Sequence, residues 1–288
     1  MTKIKNKTVL ITGGANGIGK LLGERCLQEG AKALVIWDIN EQNLQNTTAA
    51  FEAKGHQVHP YLVDVSDLSD IKKAATLTLS QVGRVDVLFN NAGVVVGKYF
   101  DEHSHEEIEK TIRINVLGVM HVARAFIPEM MQQGSGHIIN IASASGFVAN
   151  PKMSVYASSK WAVLGWSESL RLEMERVAPK VRVTTVCPSY IKTGMFEGAS
   201  APILTPLLEP KVIVNDIMRA VKQNRIMLKA PWSVNLLPFL KGTLPIRVFD
   251  VVVGQGLNIY SSMAKFIGRP QTEAIPEKTS KDLEMDRE

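Results

Sequence analysis

Residues 12–19 read Thr12-Gly13-Gly14-Ala15-Asn16-Gly17-Ile18-Gly19, and no other stretch of the chain restricts the fold as much. The loop leaves a β-forming run at residues 8–12 and opens a segment whose apolar residues, Ile18, Leu21, Leu22 and Cys26, recur at helical spacing. Strand, glycine-rich turn and helix in that order is the arrangement a dinucleotide loop requires. Glycine lets the backbone turn sharply and approach a ligand closely. The helix N-terminus then offers unpaired N–H groups and the positive end of a dipole to negative charge. Gly13, Asn16, Gly17, Ile18 and Gly19 are therefore candidate contacts for a pyrophosphate. A tight turn that merely needs glycines is the competing reading, and it does not account for the strand and helix on either side.

Short β-rich runs alternate with helical patterns along the rest of the chain. Strands are expected at residues 8–12, 33–37, 58–63, 85–89, 138–141 and 181–186, with a short last one at 226–228. Helices are expected at 18–28, 41–54, 106–132 and 155–177. Strands that are apolar throughout are buried on both faces, as parallel sheets covered by helices must be. The order predicts an α/β fold: a single doubly wound Rossmann domain over residues 1–269, with a mainly parallel seven-stranded sheet and helices on both faces. Residues 189–210 form a candidate lid, with Pro202, Pro206 and Pro210 in its second half. Residues 231–267 are apolar and broken by Pro238 and Pro245, so short helices are expected there. From 270 to 288 the chain is polar and charged, and a flexible tail is expected.

The net charge of +5 comes from scattered Lys and Arg, without the aromatic-basic interleaving of a nucleic-acid surface, so no nucleic-acid partner is expected. Cys26 and Cys187 stand far apart in apolar surroundings and read as buried free thiols of a reducing compartment. His103 and His105 have no third ligand nearby, so no metal is expected. Residues 1–7 lack the apolar stretch of a signal peptide and no apolar run is long enough to span a bilayer, which makes the expected location cytoplasmic.

Several polar residues fall where the predicted sheet would present them to a ligand. Asp38 ends the second strand, where a carboxylate can accept hydrogen bonds from adenosine ribose hydroxyls and would repel a 2′-phosphate. NAD is thus expected over NADP, with Lys20 the residue that argues the other way; a helix N-cap before Glu41 is the structural reading of Asp38. Asn90-Asn91-Ala92-Gly93 follows the fourth strand, at the edge where open α/β sheets bind ligands. Asn115 lies between Ile114 and Val116 in a helical stretch, a position that needs a hydrogen-bond reason.

Ser143 directly follows the fifth strand, and Tyr156 and Lys160 share one face of the next helix, a turn apart. An alcohol's proton must leave as hydride departs to a nicotinamide. Free tyrosine, with a pKa of about 10, is too weakly acidic to act as an efficient base near neutral pH. A neighbouring ammonium such as Lys160 favours the phenolate, and Ser143 can hydrogen-bond the substrate oxygen.

On the Thr-Gly-x-x-x-Gly-x-Gly loop, Asn-Asn-Ala-Gly, Asn115, Ser143, Tyr156, Lys160 and Pro188-Ser189-Tyr190-Ile191-Lys192-Thr193-Gly194, residues 5 to about 230 resemble the short-chain dehydrogenase/reductase family. The resemblance implies Tyr156 as catalytic acid/base, Lys160 also on the nicotinamide ribose and Asn115 anchoring a proton-relay water. It further implies Asp64 and Val65 at the adenine, Asn91, Ala92, Gly93 and Pro188 along the cofactor, and Ile191 and Thr193 at the nicotinamide. Residues 34–40 and 188–196 look more loosely like the retinol and 17β-hydroxysteroid dehydrogenases, although the N-terminal membrane segment of several such proteins is absent.

The expected substrate wall is Ser145, Val148, Met153, Tyr190, Met195 and Phe196, with help from 231–267, and its apolar character implies a lipophilic alcohol or carbonyl. The same stretch also reads as plain core or subunit interface. Its mixture of Trp232, Leu236, Leu237, Phe239, Leu240 and Phe249 with Lys241, Arg247 and Lys265 admits peripheral membrane contact, with core packing favoured. A homodimer or homotetramer is expected by resemblance. The alternatives are an NADPH-dependent carbonyl or 3-oxoacyl reductase, which Asp38 argues against, and a dinucleotide-binding sensor without turnover, which the complete Ser143, Tyr156, Lys160 and Asn115 set argues against.

Overall fold

Alternate side chains of a strand point to opposite faces, and here both faces are apolar. In β1 (Thr8–Thr12), Val9 and Ile11 enter one core while Leu10 enters the other. In β2 (Ala33–Asp38), Leu34 and Ile36 divide in the same way from Val35 and Trp37. The computed structural model describes residues 1–268 and adds the strands β3 (Val58–Leu62), β4 (Val87–Asn90), β5 (Gly136–Ile141), β6 (Val181–Pro188) and β7 (Met227–Ala230). All seven strands pair in parallel, in the order β3-β2-β1-β4-β5-β6-β7.

Helices α1 (Gly17–Gln28) and α2 (Glu41–Glu52) cover the first face. Helices α3 (Leu68–Val82), α5 (Val119–Gln132) and α6 (Ser154–Val177) cover the second, with α4 (His105–Ile112) leading into α5. Helix α7 (Pro210–Lys222) completes the first face with Ile213, Val214, Ile217 and Met218. This is the doubly wound architecture that the run of βα units predicted. The expected tail at 270–288 lies outside the described residues.

Four local expectations change. The helix expected over 106–132 is two helices, α4 and α5, joined by a π-helical stretch Arg113–Gly118. Helices α3 and α7 were not anticipated. Asp67 caps the start of α3 by accepting from Ser69 and Asp70 N–H groups, and Pro210 begins α7 at a position where its missing N–H costs nothing. Strand β3 is not buried on both faces: it is an edge strand, carries Pro60, and leaves Leu62 exposed. The last strand begins one residue later than expected and runs to Ala230.

After β7 the chain packs helix α8 (Leu236–Thr243), helix α9 (Ile246–Phe249) and the π-helical stretch Asp250–Gln255 over the C-terminal edge of the sheet. Val234, Leu237, Phe249, Val253 and Ile259 bury themselves against Ala144 and Val148. Among the described residues, no helix is long and apolar enough to cross a membrane, and no group of three or more His, Cys, Asp or Glu is arranged to hold a metal.

Candidate active site

Strand order reverses between β1 and β4, and the crevice at their C-terminal ends collects the predicted residues. Thr12 fastens its two sides together. Its hydroxyl oxygen accepts from the N–H groups of Asn91 (3.0 Å) and Ala92 (3.1 Å). The Asn91 amide returns the link, donating to the carbonyls of Thr12 and Gly13, each at 3.0 Å. The Asn91 side chain thus ties the end of β4 to the glycine loop. The close approach leaves no room for a side chain at Gly19, where a Cβ would lie 2.1 Å from the Gly13 carbonyl oxygen and 2.6 Å from the Asn91 amide nitrogen.

Asn16 caps α1, accepting from Gly17 N–H at 2.6 Å. Gly17 faces open space, and a Cβ there would meet only Thr193, at 3.8 Å. The loop and the segment after β6 therefore bound a gap, the form a pyrophosphate would need, with the orphan N–H groups of the α1 first turn at its floor. Ile18 packs on the core behind the loop and Ile191 is buried beside it. Asp38 spends one carboxylate oxygen on Ala15 N–H (2.9 Å) and the other on Asn40 N–H (3.0 Å), so it braces the loop. Each oxygen keeps a further lone pair for a ribose hydroxyl. Asn40, not Asp38, caps α2. Asp64 closes a turn by accepting from Ser66, and Val65 lines a small hollow with Thr12 and Ala92.

Asn115 finds its hydrogen-bond reason in the π-helical stretch, whose extra residue per turn re-aims a side chain. Its amide accepts from Val94 N–H and donates to Val94 C=O, both at 2.9 Å, and donates to the Ser159 hydroxyl at 3.1 Å. Ser159 donates in turn to the Tyr156 carbonyl at 2.7 Å. Asn115 thereby joins the segment after β4 to the turn of α6 that bears Tyr156. A Cβ on Gly93 would lie 3.2 Å from Asn115 Oδ1 and 3.6 Å from Lys160 Nζ, so that glycine brings the three together.

Ser143, Tyr156 and Lys160 are all buried here. The Ser143 hydroxyl accepts from Ser145 N–H at 3.1 Å and donates to the Pro188 carbonyl at 3.4 Å. Lys160 Nζ stands 5.7 Å from the centre of the Tyr156 ring and donates to the Ile141 carbonyl at 3.0 Å. Burial pushes the Tyr156 phenol above its ordinary pKa, with hydrogen bonding from Ser143 opposing the rise. Burial also pushes the Lys160 ammonium down, to about 8. Desolvation is thus the largest influence on both groups, raising the phenol and lowering the ammonium.

A cleft of about 450 Å³, its open mouth included, begins at Ser143 and runs toward the C-terminal helices. Ser145, Val148, Tyr190 and Phe196 line it as expected, and Val234, Leu237 and Ile259 supply the wall expected from 231–267. Phe196 stands edge-on to both Tyr156 (centroids 6.0 Å apart) and Tyr190 (5.0 Å). Met153 and Met195 are not lining side chains. Met153 is wholly buried with Tyr156, Tyr190 and Met263, and Met195 is half-buried beside the lining residue Phe196. Asn150, unanticipated, also lines the cleft and donates to the Tyr190 hydroxyl (3.2 Å) and to Ser262 (3.3 Å). No local signal marked it, because its partner Ser262 lies far along the chain.

A doubly wound sheet with a glycine loop at its switch point, and a serine, tyrosine and lysine beside it, defines a nucleotide-dependent oxidoreductase. The chain belongs to the short-chain dehydrogenase family, whose model matches residues 7–203. It is 36% identical over 250 residues to estradiol 17-beta-dehydrogenase 11 of Rattus norvegicus, covering 86% of this chain and 83% of the relative. It is 34% identical over 270 residues to epidermal retinol dehydrogenase 2 of Mus musculus, covering 92% and 87%. A short-chain dehydrogenase/reductase from Burkholderia phymatum, solved in complex with NAD, superposes with a TM-score of 0.76 at 26% identity, covering 88% of this chain and 97% of that one. A metagenomic short-chain oxidoreductase solved with NADP gives 0.68 at 27% identity, covering 80% and 97%. The protein is accordingly an oxidoreductase acting on hydroxyl groups, with a nicotinamide dinucleotide as its cofactor.

Proposed function

We propose that this protein interconverts a lipophilic alcohol and its ketone or aldehyde, using NAD, with Tyr156 as general acid/base. The observation that supports this most is the meeting of Ser143, Tyr156 and Lys160 at the join between the glycine-lined crevice and an apolar cleft. The bound dinucleotide would accept or return the hydride. Tyr156 takes the alcohol's proton in oxidation and gives it back in reduction. Ser143 holds the substrate oxygen, and Asn115 fixes the α6 turn on which Tyr156 sits. Val148, Leu237, Val234 and Phe196 favour an apolar substrate, because polar groups left unpaired among them would cost affinity. The relatives named for estradiol and for retinol support the same class. Screening NAD reduction across steroids, retinoids and aliphatic alcohols tests the reading, and turnover of polar sugars alone would overturn it.

Asp38 carries the choice of NAD over NADP. A 2′-phosphate beside this carboxylate meets like charge, which a ribose hydroxyl does not. The native protein is expected to bind NAD at least about tenfold tighter than NADP, and Asp38→Ala to erase most of that margin. Equal preference for NADP in both proteins, by fluorescence titration, would favour the NADPH-dependent reductase instead.

The buried pair also predicts a pH dependence. Burial pushes the Lys160 ammonium down to about 8, below the ordinary lysine range, and its Nζ stands 5.7 Å from the centre of the Tyr156 ring, close enough for the two to titrate as a pair. Oxidation requires the pair in its deprotonated form and reduction in its protonated form. Initial rates of alcohol oxidation should therefore rise as pH is taken through about 8, and carbonyl reduction should fall. A flat oxidation profile from pH 6 to 10, with the protein folded throughout, would count against the pair's role.

A further inference from the structure

The favoured sequence reading of residues 231–267 was core packing, and the structure buries only part of that stretch. Phe249 and Val253 form the inward stripe of the last helical segment. Its outward face is apolar as well: Ile246 is 79% exposed, Val251 59% and Val252 53%. The preceding segment repeats the pattern. Val234 and Leu237 turn inward, whereas Trp232, Leu236 and Phe239, spaced by four and three residues, turn outward, Trp232 at 73% and Phe239 at 67%. Leu204 adjoins them, since the Ser233 hydroxyl donates to its carbonyl at 2.6 Å, and it too is exposed. Helices apolar on every side are found where something covers them, and a monomer rarely leaves an apolar face of this extent open to water.

Charge selects what covers it. Residues 229–267 hold Lys229, Lys241, Arg247 and Lys265 against one acid, Asp250. That acid is already engaged, accepting from the Tyr260 hydroxyl at 2.6 Å and pairing with Arg247 at 3.6 Å. Lys241 and Arg247 are both exposed within this stretch, and the Lys241 ammonium also donates to the Phe147 carbonyl at 3.3 Å and lies 3.9 Å from the centre of the exposed Trp161 ring. A second copy of the same face would bring these cations against their own kind, whereas an anionic lipid surface would attract them. Apolar side chains framed by cations are the composition of an interfacial helix.

We propose that the outward face of residues 232–252 seats the protein on an anionic lipid bilayer, lying in its surface without crossing it. The inward faces of the same segments supply Val234 and Leu237 to the cleft, so a seated protein would open its cleft beside the lipid from which a lipophilic substrate would come. That last step rests on the proposed substrate class; the seating itself does not.

The test is sedimentation of the full chain with large unilamellar vesicles of phosphatidylcholine alone, or of phosphatidylcholine and phosphatidylserine in equal parts. The native protein should partition about thirtyfold more strongly onto the serine-containing vesicles at low salt, with the margin shrinking as salt is added. The double variant Phe239→Glu/Ile246→Glu, which touches neither the crevice nor the cleft lining, should stay in the supernatant while keeping its melting temperature and NAD binding. Equal binding by native protein and double variant, or binding by neither, would overturn the proposal. So would a native dimer in size-exclusion chromatography that the double variant dissociates, since the face would then belong to a second copy. None of these readouts uses turnover, so their failure is separate from any failure of the enzymatic reading.

Discussion

Tyr156→Phe is expected to lower turnover by about two to four orders of magnitude, the usual contribution of a positioned acid/base, while leaving dinucleotide affinity where it was. The substitution removes one oxygen and little else. The ring keeps its burial and its edge-on contact with Phe196. The Lys160 bond to Ile141 and the Asn115 bonds to Val94 and Ser159 do not involve the phenol. What is lost is the group proposed to accept the alcohol's proton. Stopped-flow turnover and fluorescence titration with NAD separate the two effects, and a melting curve checks the fold. Activity within threefold of the native protein would remove Tyr156 from the acid/base role and return the question to Ser143 and Lys160. Loss of NAD binding together with activity would instead mean that the hydroxyl supports the crevice, which the hydrogen bonds around it do not suggest.

The parts of the fold that were legible in the sequence are those set by neighbours a few residues apart. Strands β1 and β2 announce themselves because buried parallel strands need apolar side chains on both faces, and the glycine loop because one turn must join strand to helix. The π-helical stretch around Asn115 was not legible, because its cause is tertiary: the segment widens where Asn115 reaches Val94 and Ser159. Helix α7 followed a proline-rich stretch, which drew the eye to a loop, although Pro210 was marking the helix start and Ile213, Val214, Ile217 and Met218 kept helical spacing. Ser143, Tyr156 and Lys160 could be picked out as candidates because a strand end and a one-turn helical spacing place them together. Their electrostatics could not, since burial of Tyr156 depends on Phe196, Tyr190 and Met263 arriving from the segment after β6 and the C-terminal segment. Met153, expected in the substrate wall, is likewise buried by partners distant in sequence, Tyr190 and Met263.

Gly19→Ala should weaken dinucleotide binding by roughly ten- to a hundredfold or more, the range that corresponds to about 1–3 kcal/mol of overpacking. The added carbon would stand 2.1 Å from the Gly13 carbonyl oxygen and 2.6 Å from the Asn91 amide nitrogen, so the loop or the end of β4 must move. Neither can move alone, because Asn91 donates to the Thr12 and Gly13 carbonyls and Thr12 accepts from the Asn91 and Ala92 N–H groups. A shift at Gly19 therefore travels through Asn91 into the segment that carries Gly93, beside Asn115 and Lys160. Affinity and turnover should fall together, unlike in Tyr156→Phe. Gly165→Ala is the control for adding a methyl group to this chain: it lies exposed within α6 with nothing inside 4 Å, and should leave binding alone while gaining up to about 1 kcal/mol of helix stability. If Gly19→Ala bound NAD as tightly as Gly165→Ala does, the crevice between β1 and β4 could not be the place where the dinucleotide lies.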